Sequence, residues 1–149
     1  MPVQDFRIEG AEELEKVLKL LPKELEKKAL DSAFKAGANI VAQDAKGRVP
    51  VDTGELRDAI VVRKARSRQR SKGIIAVVGI KKPTSRRAHL TEFGTKNAAA
   101  KPFLRPAIDI KGQDAIAVIG RKLKENIEKT ATKLAGKFET SGLARRRRR

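Results

Sequence analysis

Val49-Pro50-Val51-Asp52-Thr53-Gly54-Glu55-Leu56-Arg57 is the stretch on which the fold turns. On its N-terminal side apolar residues recur at helical spacing, and on its C-terminal side they cluster as they do in strands. Gly47 and Pro50 stop a helix, and Asp52-Thr53-Gly54 is turn chemistry. Either Asp52 or Thr53 can cap a short helical turn over Glu55–Asp58.

Upstream, Leu14, Val17, Leu18 and Leu21 predict a helix from Ala11 that Pro22 ends or kinks. A second helix is expected over Lys23–Lys46, with Leu25, Ala29, Ala33, Ala36 and Ile40 along one stripe. Ala33, Ala36, Gly37 and Ala38 leave room for a close neighbour, in this chain or in another. Residues 3–9 carry a short strand pattern that Gly10 breaks.

Downstream, Ala59–Arg63 begins a strand, and Ile74–Ile80 reads as a second one, buried on both faces or central in its sheet. Residues 59–80 are thus expected to form a β-hairpin whose tip, 64–73, is a mobile basic loop. Lys81–Arg87 forms a second loop with four more cations. Ala88–Phe93 is expected as a third strand stopped by Gly94, and Lys96–Lys101 as exposed chain. A long helix should open at Pro106, show Ile116, Ile119, Leu123, Ile127, Leu134 and Phe138 on one stripe, with Thr130 and Ala131 filling the one gap, and end at Gly142. The expected class is α+β: N-terminal helices, a small antiparallel sheet with a long basic β-hairpin, and a long C-terminal helix packing on the sheet. Residues 1–142 should make one domain, and 143–149 a disordered arginine-rich tail.

The formal charge is +17 over 149 residues, and it is unevenly spread. Residues 1–60 carry net −2, residues 61–105 net +12 with Glu92 as their one acid, and residues 106–149 net +7. Self-repulsion of this size disfavours an isolated monomer and calls for a polyanion or acidic partner nearby. There is no cysteine, hence no disulfide and no thiolate site. No apolar run approaches the ~20 residues of a membrane helix, and Met1–Gly10 has no apolar signal core, so no membrane partner is expected.

Catalysis is not expected. His89 is the one histidine and has no carboxylate at ligand spacing; no phosphate-cradling glycine loop is present. Neither cofactor nor metal is expected. Glu92, alone among cations, should be held charged and is placed to pair with Arg57 or Arg105. Five Phe without Trp or Tyr leave no base-stacking platform, so contact with nucleic acid should go to phosphates without sequence preference. The candidates are Arg63, Lys64, Arg66, Arg68, Arg70 and Lys72 on the hairpin tip, with Lys81, Lys82, Arg86 and Arg87 on the second loop. The same residues also suit a solvated loop or an acidic neighbouring subunit.

Three motifs in order resemble the tail-completion or neck family of long-tailed double-stranded DNA phages. They are the turn at Pro50–Arg57, the element Glu92-Phe93-Gly94-Thr95, and Phe103-Leu104-Arg105-Pro106-Ala107 behind Lys101-Pro102. The resemblance runs from about Gly10 to about Lys137; the long basic loops and the arginine tail depart from it. It implies a non-enzymatic virion protein, made in the host cytoplasm, that forms a ring at the head–tail junction or tail end. Such a ring completes the tail, joins it to the head connector, and surrounds the channel through which genomic DNA passes. Six copies match the symmetry of such tails and twelve that of connectors. Pro50, Thr53, Gly54, Glu92, Gly94, Pro102, Phe103 and Pro106 would then be architectural. The alternative, from another class, is a free-standing basic protein that packages nucleic acid without sequence preference.

Overall fold

The computed structural model describes residues 10–146 except 51 and 74, with side chains to Lys133 apart from residue 11. The strand pattern at 3–9 lies outside the described residues, and the stripe positions Leu134 and Phe138 and the tail at 143–149 lie outside the described side chains. The elements in order are α1 (Ala11–Leu20), α2 (Lys23–Arg48), α3 (Glu55–Ala59), β1 (Ile60–Lys64), α4 (Ser67–Arg70), β2 (Ala76–Ile80), α5 (Ser85–Phe93) and α6 (Leu104–Arg146). The class is α+β.

The 26-residue α2 is the spine. Pro22 stands just before its first turn, where a missing N–H costs nothing. One side of α2 packs along α6, and another receives the β1–β2 ribbon. Two core clusters lie along it. Towards its start, Ala29 and Ala33 meet Leu18 of α1 and Leu123 and Ile127 of α6. Towards its end, Ala42, Ala45 and Val49 meet Leu56, Ile60, Ala88, Phe103 and Ala107. The small residues of α2 therefore have their neighbour in this chain. A Cβ on Gly37 would sit 2.5 Å from Ile119 Cγ1 and 2.9 Å from the Ala115 carbonyl oxygen, so the two helices cross in near-backbone contact.

The hairpin is antiparallel, with Ile60 opposite Ile80 and Lys64 opposite Ala76. Ile60, Val62, Val78 and Ile80 turn inward to the core. Among the described residues the sheet has two strands, so β2 is not central there; its residues are all half-buried. The tip is not an irregular loop: Ser67–Arg70 makes one helical turn, with the Gln69 side chain accepting the Arg66 N–H at 3.0 Å. Ala88–Phe93, expected as a third strand, belongs to helix α5. Its buried positions are Ala88 and Glu92, four apart on one face. Because the second of these is a carboxylate, the apolar period that marks a helix is missing there. Without a third strand to cover, the α6 stripe around Leu123 and Ile127 is buried by α1 and α2, and only the α6 start, with Phe103, Leu104 and Ala107, reaches the core beside the sheet. The backbone of α6 continues past Gly142, consistent with glycine lowering helix stability by only about 1 kcal/mol. Among the described residues, no helix is long and apolar enough to cross a membrane.

The α2–α6 crossing yields a paired test. Gly37→Ala should lower stability by about 1–3 kcal/mol in urea unfolding, because the methyl meets Ile119 and the Ala115 carbonyl. Gly47→Ala, with nothing within 4 Å, should raise it by about 0.5–1 kcal/mol. Equal effects at the two positions would contradict the close crossing.

Candidate functional site

The two motifs that flank the hairpin in sequence face each other across one cleft, and Glu92 ties the second of them to the third, at the start of α6. Its carboxylate lies at the end of α5 and is 7% exposed. Oε2 accepts the N–H of Phe103 at 2.8 Å and of Leu104 at 3.0 Å, and Oε1 accepts that of Arg105 at 3.1 Å. These are the first donors of α6, which have no partner within a helix. The next residue, Pro106, has no N–H to satisfy. One carboxylate and one proline thus account for all four opening donors of α6, at the end where a helix favours negative charge. Burial pushes the Glu92 carboxyl up, but the three backbone N–H groups and the nearby Arg105 outweigh it, and the group titrates below the ordinary range. The expected partners Arg57 and Arg105 are replaced by backbone: Arg57 reaches Asp58 instead, and Arg105 lies over the Phe93 ring at 5.0 Å.

Gly94 makes this possible. It closes α5 through its N–H to the Leu90 carbonyl and takes φ 76°, ψ −179°, a region essentially reserved for glycine. A Cβ there would lie 2.8 Å from the Ala100 nitrogen. Thr95 Oγ1 then accepts the Ala98 N–H at 3.0 Å, and the Lys101 N–H returns to the Thr91 carbonyl at 2.8 Å. The chain is thereby folded back to deliver Phe103, wholly buried, into the core. Gly54, at φ 79°, precedes α3 and caps it without help from the Asp52 or Thr53 side chains. Pro50, Thr53, Leu56, Leu90, Thr95 and Ala98 line a cleft of about 330 Å³ between the motifs. Pro102 is exposed beside it, and Pro106 is half-buried.

The ten candidate cations divide into two groups. Asp31, 8% exposed on α2, receives Lys64 Nζ at 2.9 Å and the Arg70 guanidinium. Burial pushes its carboxyl up, and the two cations more than reverse this, so it too titrates low. Arg70 also donates to the Ala65 carbonyl, and Arg87 reaches Glu55 at 3.4 Å. Lys64, Arg70 and Arg87 are therefore engaged within the chain. Arg63, Arg66, Arg68, Lys72, Lys81, Lys82 and Arg86 are exposed, with no ion pair among the described residues. Sequence reasoning missed Asp31. The available signal was its isolation as the one acid between Glu26 and Asp44, the same signal that singled out Glu92. His89 is exposed on α5 and stacks on Phe93, with ring centroids 4.7 Å apart. Among the described residues, no three His, Cys, Asp or Glu side chains converge as a metal site.

Residues 12–94 match the family model described as "Bacteriophage HK97-gp10, putative tail-component". The match takes in α2, the Pro50–Arg57 turn, the hairpin and Glu92. No curated protein and no solved structure matches the chain.

Four substitutions test the junction and the turn before α3. Glu92→Ala should cost on the order of 3 kcal/mol or more, since it orphans three N–H groups around a buried side chain. Gly94→Ala should cost more than Gly54→Ala, because only the former adds a backbone clash to its positive φ. The pH dependence follows from the two depressed carboxyls. Their stabilising contribution is complete above about pH 5, past the ordinary carboxyl range, and is lost as pH falls through their lower folded values. The urea midpoint should drop across that acid window, and Glu92→Gln should flatten the drop. An unchanged acid profile in that variant would show that Glu92 is not the charged cap described.

Proposed function

The chain belongs to the HK97-gp10-like family of bacteriophage tail components, and on that premise we propose that it is a structural subunit of a closed ring at the phage head–tail junction or tail end. In this reading it completes the tail, joins it to the head connector, and presents phosphate-binding cations to the genomic DNA in the channel. Its role is architectural and not catalytic, and its place is the virion.

The observation that carries the DNA reading is how the acids are used. The two buried acids, Glu92 and Asp31, are consumed inside the subunit, one by backbone and one by Lys64 and Arg70. The seven cations named above are left on the surface without counter-charge among the described residues. A polyanion removes their mutual repulsion at once, and doing so releases condensed counterions from the DNA. These cations lie on the end of β1, the tip around α4, the segment after β2 and the start of α5, with no aromatic or amide pair set to read bases. The contact is therefore with phosphates. Weak contact per subunit, multiplied by the symmetry of a ring, holds a DNA end without blocking its exit.

The test has two parts. Size-exclusion chromatography with light scattering should give a closed species of more than two copies, or a subunit that assembles only onto tails. A monomer or dimer that condenses DNA at physiological salt would contradict this and favour a free-standing packaging protein. For DNA contact, replacing Arg66, Arg68, Lys72 and Arg86 by Gln should change stability by less than about 0.5 kcal/mol each. The slope of log affinity against log salt should become shallower by up to about 0.9 per lost contact. A slope equal to that of the parent would remove DNA from the reading.

A further inference from the structure

We propose that the two outer edges of the β1–β2 ribbon are the contact between subunits: the β2 edge of one copy hydrogen-bonds to the β1 edge of the next, continuing one antiparallel sheet around the ring. This rests on the ring reading above and names its interface.

The ladder fixes which groups are free. The Ala65 N–H bonds to the Ile75 carbonyl, and the Lys81 N–H to the Ala59 carbonyl. With Val61 opposite Gly79 and Arg63 opposite Val77, the antiparallel alternation turns the backbone groups of Val61, Arg63, Val77 and Gly79 across the ribbon. Those of Val62 and Lys64 on β1, and of Ala76, Val78 and Ile80 on β2, point outward. The Ile60 N–H is already taken by the Arg57 carbonyl. Among the described residues, the sheet contains no third strand, and these five outward residues have no other backbone partner.

The β2 edge is unguarded. Proteins protect an open edge with proline, a bulge or an outward lysine. Ala76-Val77-Val78-Gly79-Ile80 has no charge and no proline, and the register runs through both strands without a bulge. Lys64, the one lysine on either strand, reaches the buried Asp31 at 2.9 Å with most of its side chain still exposed. The ion pair offsets part of the charge that β1 presents to an incoming strand, while Arg63 beside it stays exposed.

A second copy is the occupant that uses both edges. β2 against β1 is a contact between two different surfaces of the same chain, the kind that repeats under rotation and closes into a ring. Rotation also keeps every β1 pointing the same way along the axis. The β2 strand beside the next β1 is then antiparallel, as it is to its own β1. Pairing β2 with β2 would stop at a dimer and leave both β1 edges open.

Residue-resolved amide hydrogen exchange on the dissociated subunit and on the assembled species tests this. The amides of Val61, Arg63, Val77 and Gly79 should be protected in both. Those of Val62, Lys64, Ala76, Val78 and Ile80 should exchange fast in the subunit and slow by about tenfold or more on assembly. An assembly in which these five stay fast overturns the interface and leaves the ring standing. A dimer with new protection confined to Ala76, Val78 and Ile80 overturns it in favour of self-pairing, and a chain that stays monomeric takes down both readings. Ala76→Pro is the companion variant. It removes one outward N–H at the first residue of β2, where proline is tolerated, and spares the bonds to β1. It should keep the parent's circular dichroism and lose assembly at concentrations where the parent assembles; unimpaired assembly would count against the interface.

Discussion

The rest of the structure depends on one carboxylate placed at the start of one helix. Glu92 ends α5, and its two oxygens take the opening N–H groups of α6. That contact sets where α6 begins and the direction in which it leaves. It also places Phe103, the largest wholly buried side chain, against Ile60 and the last turns of α2. The residues around it fit this single geometry. Gly94 supplies a turn other residues cannot make, Thr95 and Lys101 hold the returning chain, and Pro106 removes the one donor that Glu92 does not reach. The cap is effective because it is charged and dry, and it stays charged because three backbone dipoles outweigh the cost of burial.

Asp31 does for the hairpin what Glu92 does for α6. It is buried on α2 and fastens both ends of the basic tip, Lys64 from β1 and Arg70 from α4. Such a pair brings little net stability over an apolar contact, but it fixes where its partners stand. Fold and charge are linked through these two acids. A chain of net charge +17 places the two acids that are buried among the described residues at structural joints. The surface of the middle third is then almost purely cationic, as a surface facing a polyanion should be.

Much of this was legible in the sequence. The periods around Leu18 and Ala29 gave α1 and α2, proline and glycine punctuated them, and the β-rich runs gave the hairpin with its basic tip. The small residues at 33–38 announced a close neighbour, and the structure identifies it as α6. Two errors share one cause. Pattern reading assigns charged residues to the surface, so Glu92 hid the helical period of α5, and Asp31 went unnoticed as the hairpin's anchor. In both cases a single acid isolated among cations was the usable clue. The choice between an ion pair and a helix cap for Glu92 could not be made from sequence, because it depends on Gly94 folding the chain back by a few residues. The cleft between the motifs was unreadable for the same reason, since its walls come together only through that turn.

A small subunit with a rigid motif junction, two open strand edges and a cationic rim is suited to repeat around an axis. The family match supplies the tail context, and the exposed cations are what the proposed contact with DNA rests on. The most direct test of the account is cryo-electron microscopy of the phage particle with this chain carrying a site-specific label on its hairpin tip. The account predicts a closed ring of more than two labelled copies at the head–tail junction or tail end, with the labels turned to the channel. Particles that lack the chain, or labels spread over the outer surface away from the tail axis, would contradict it.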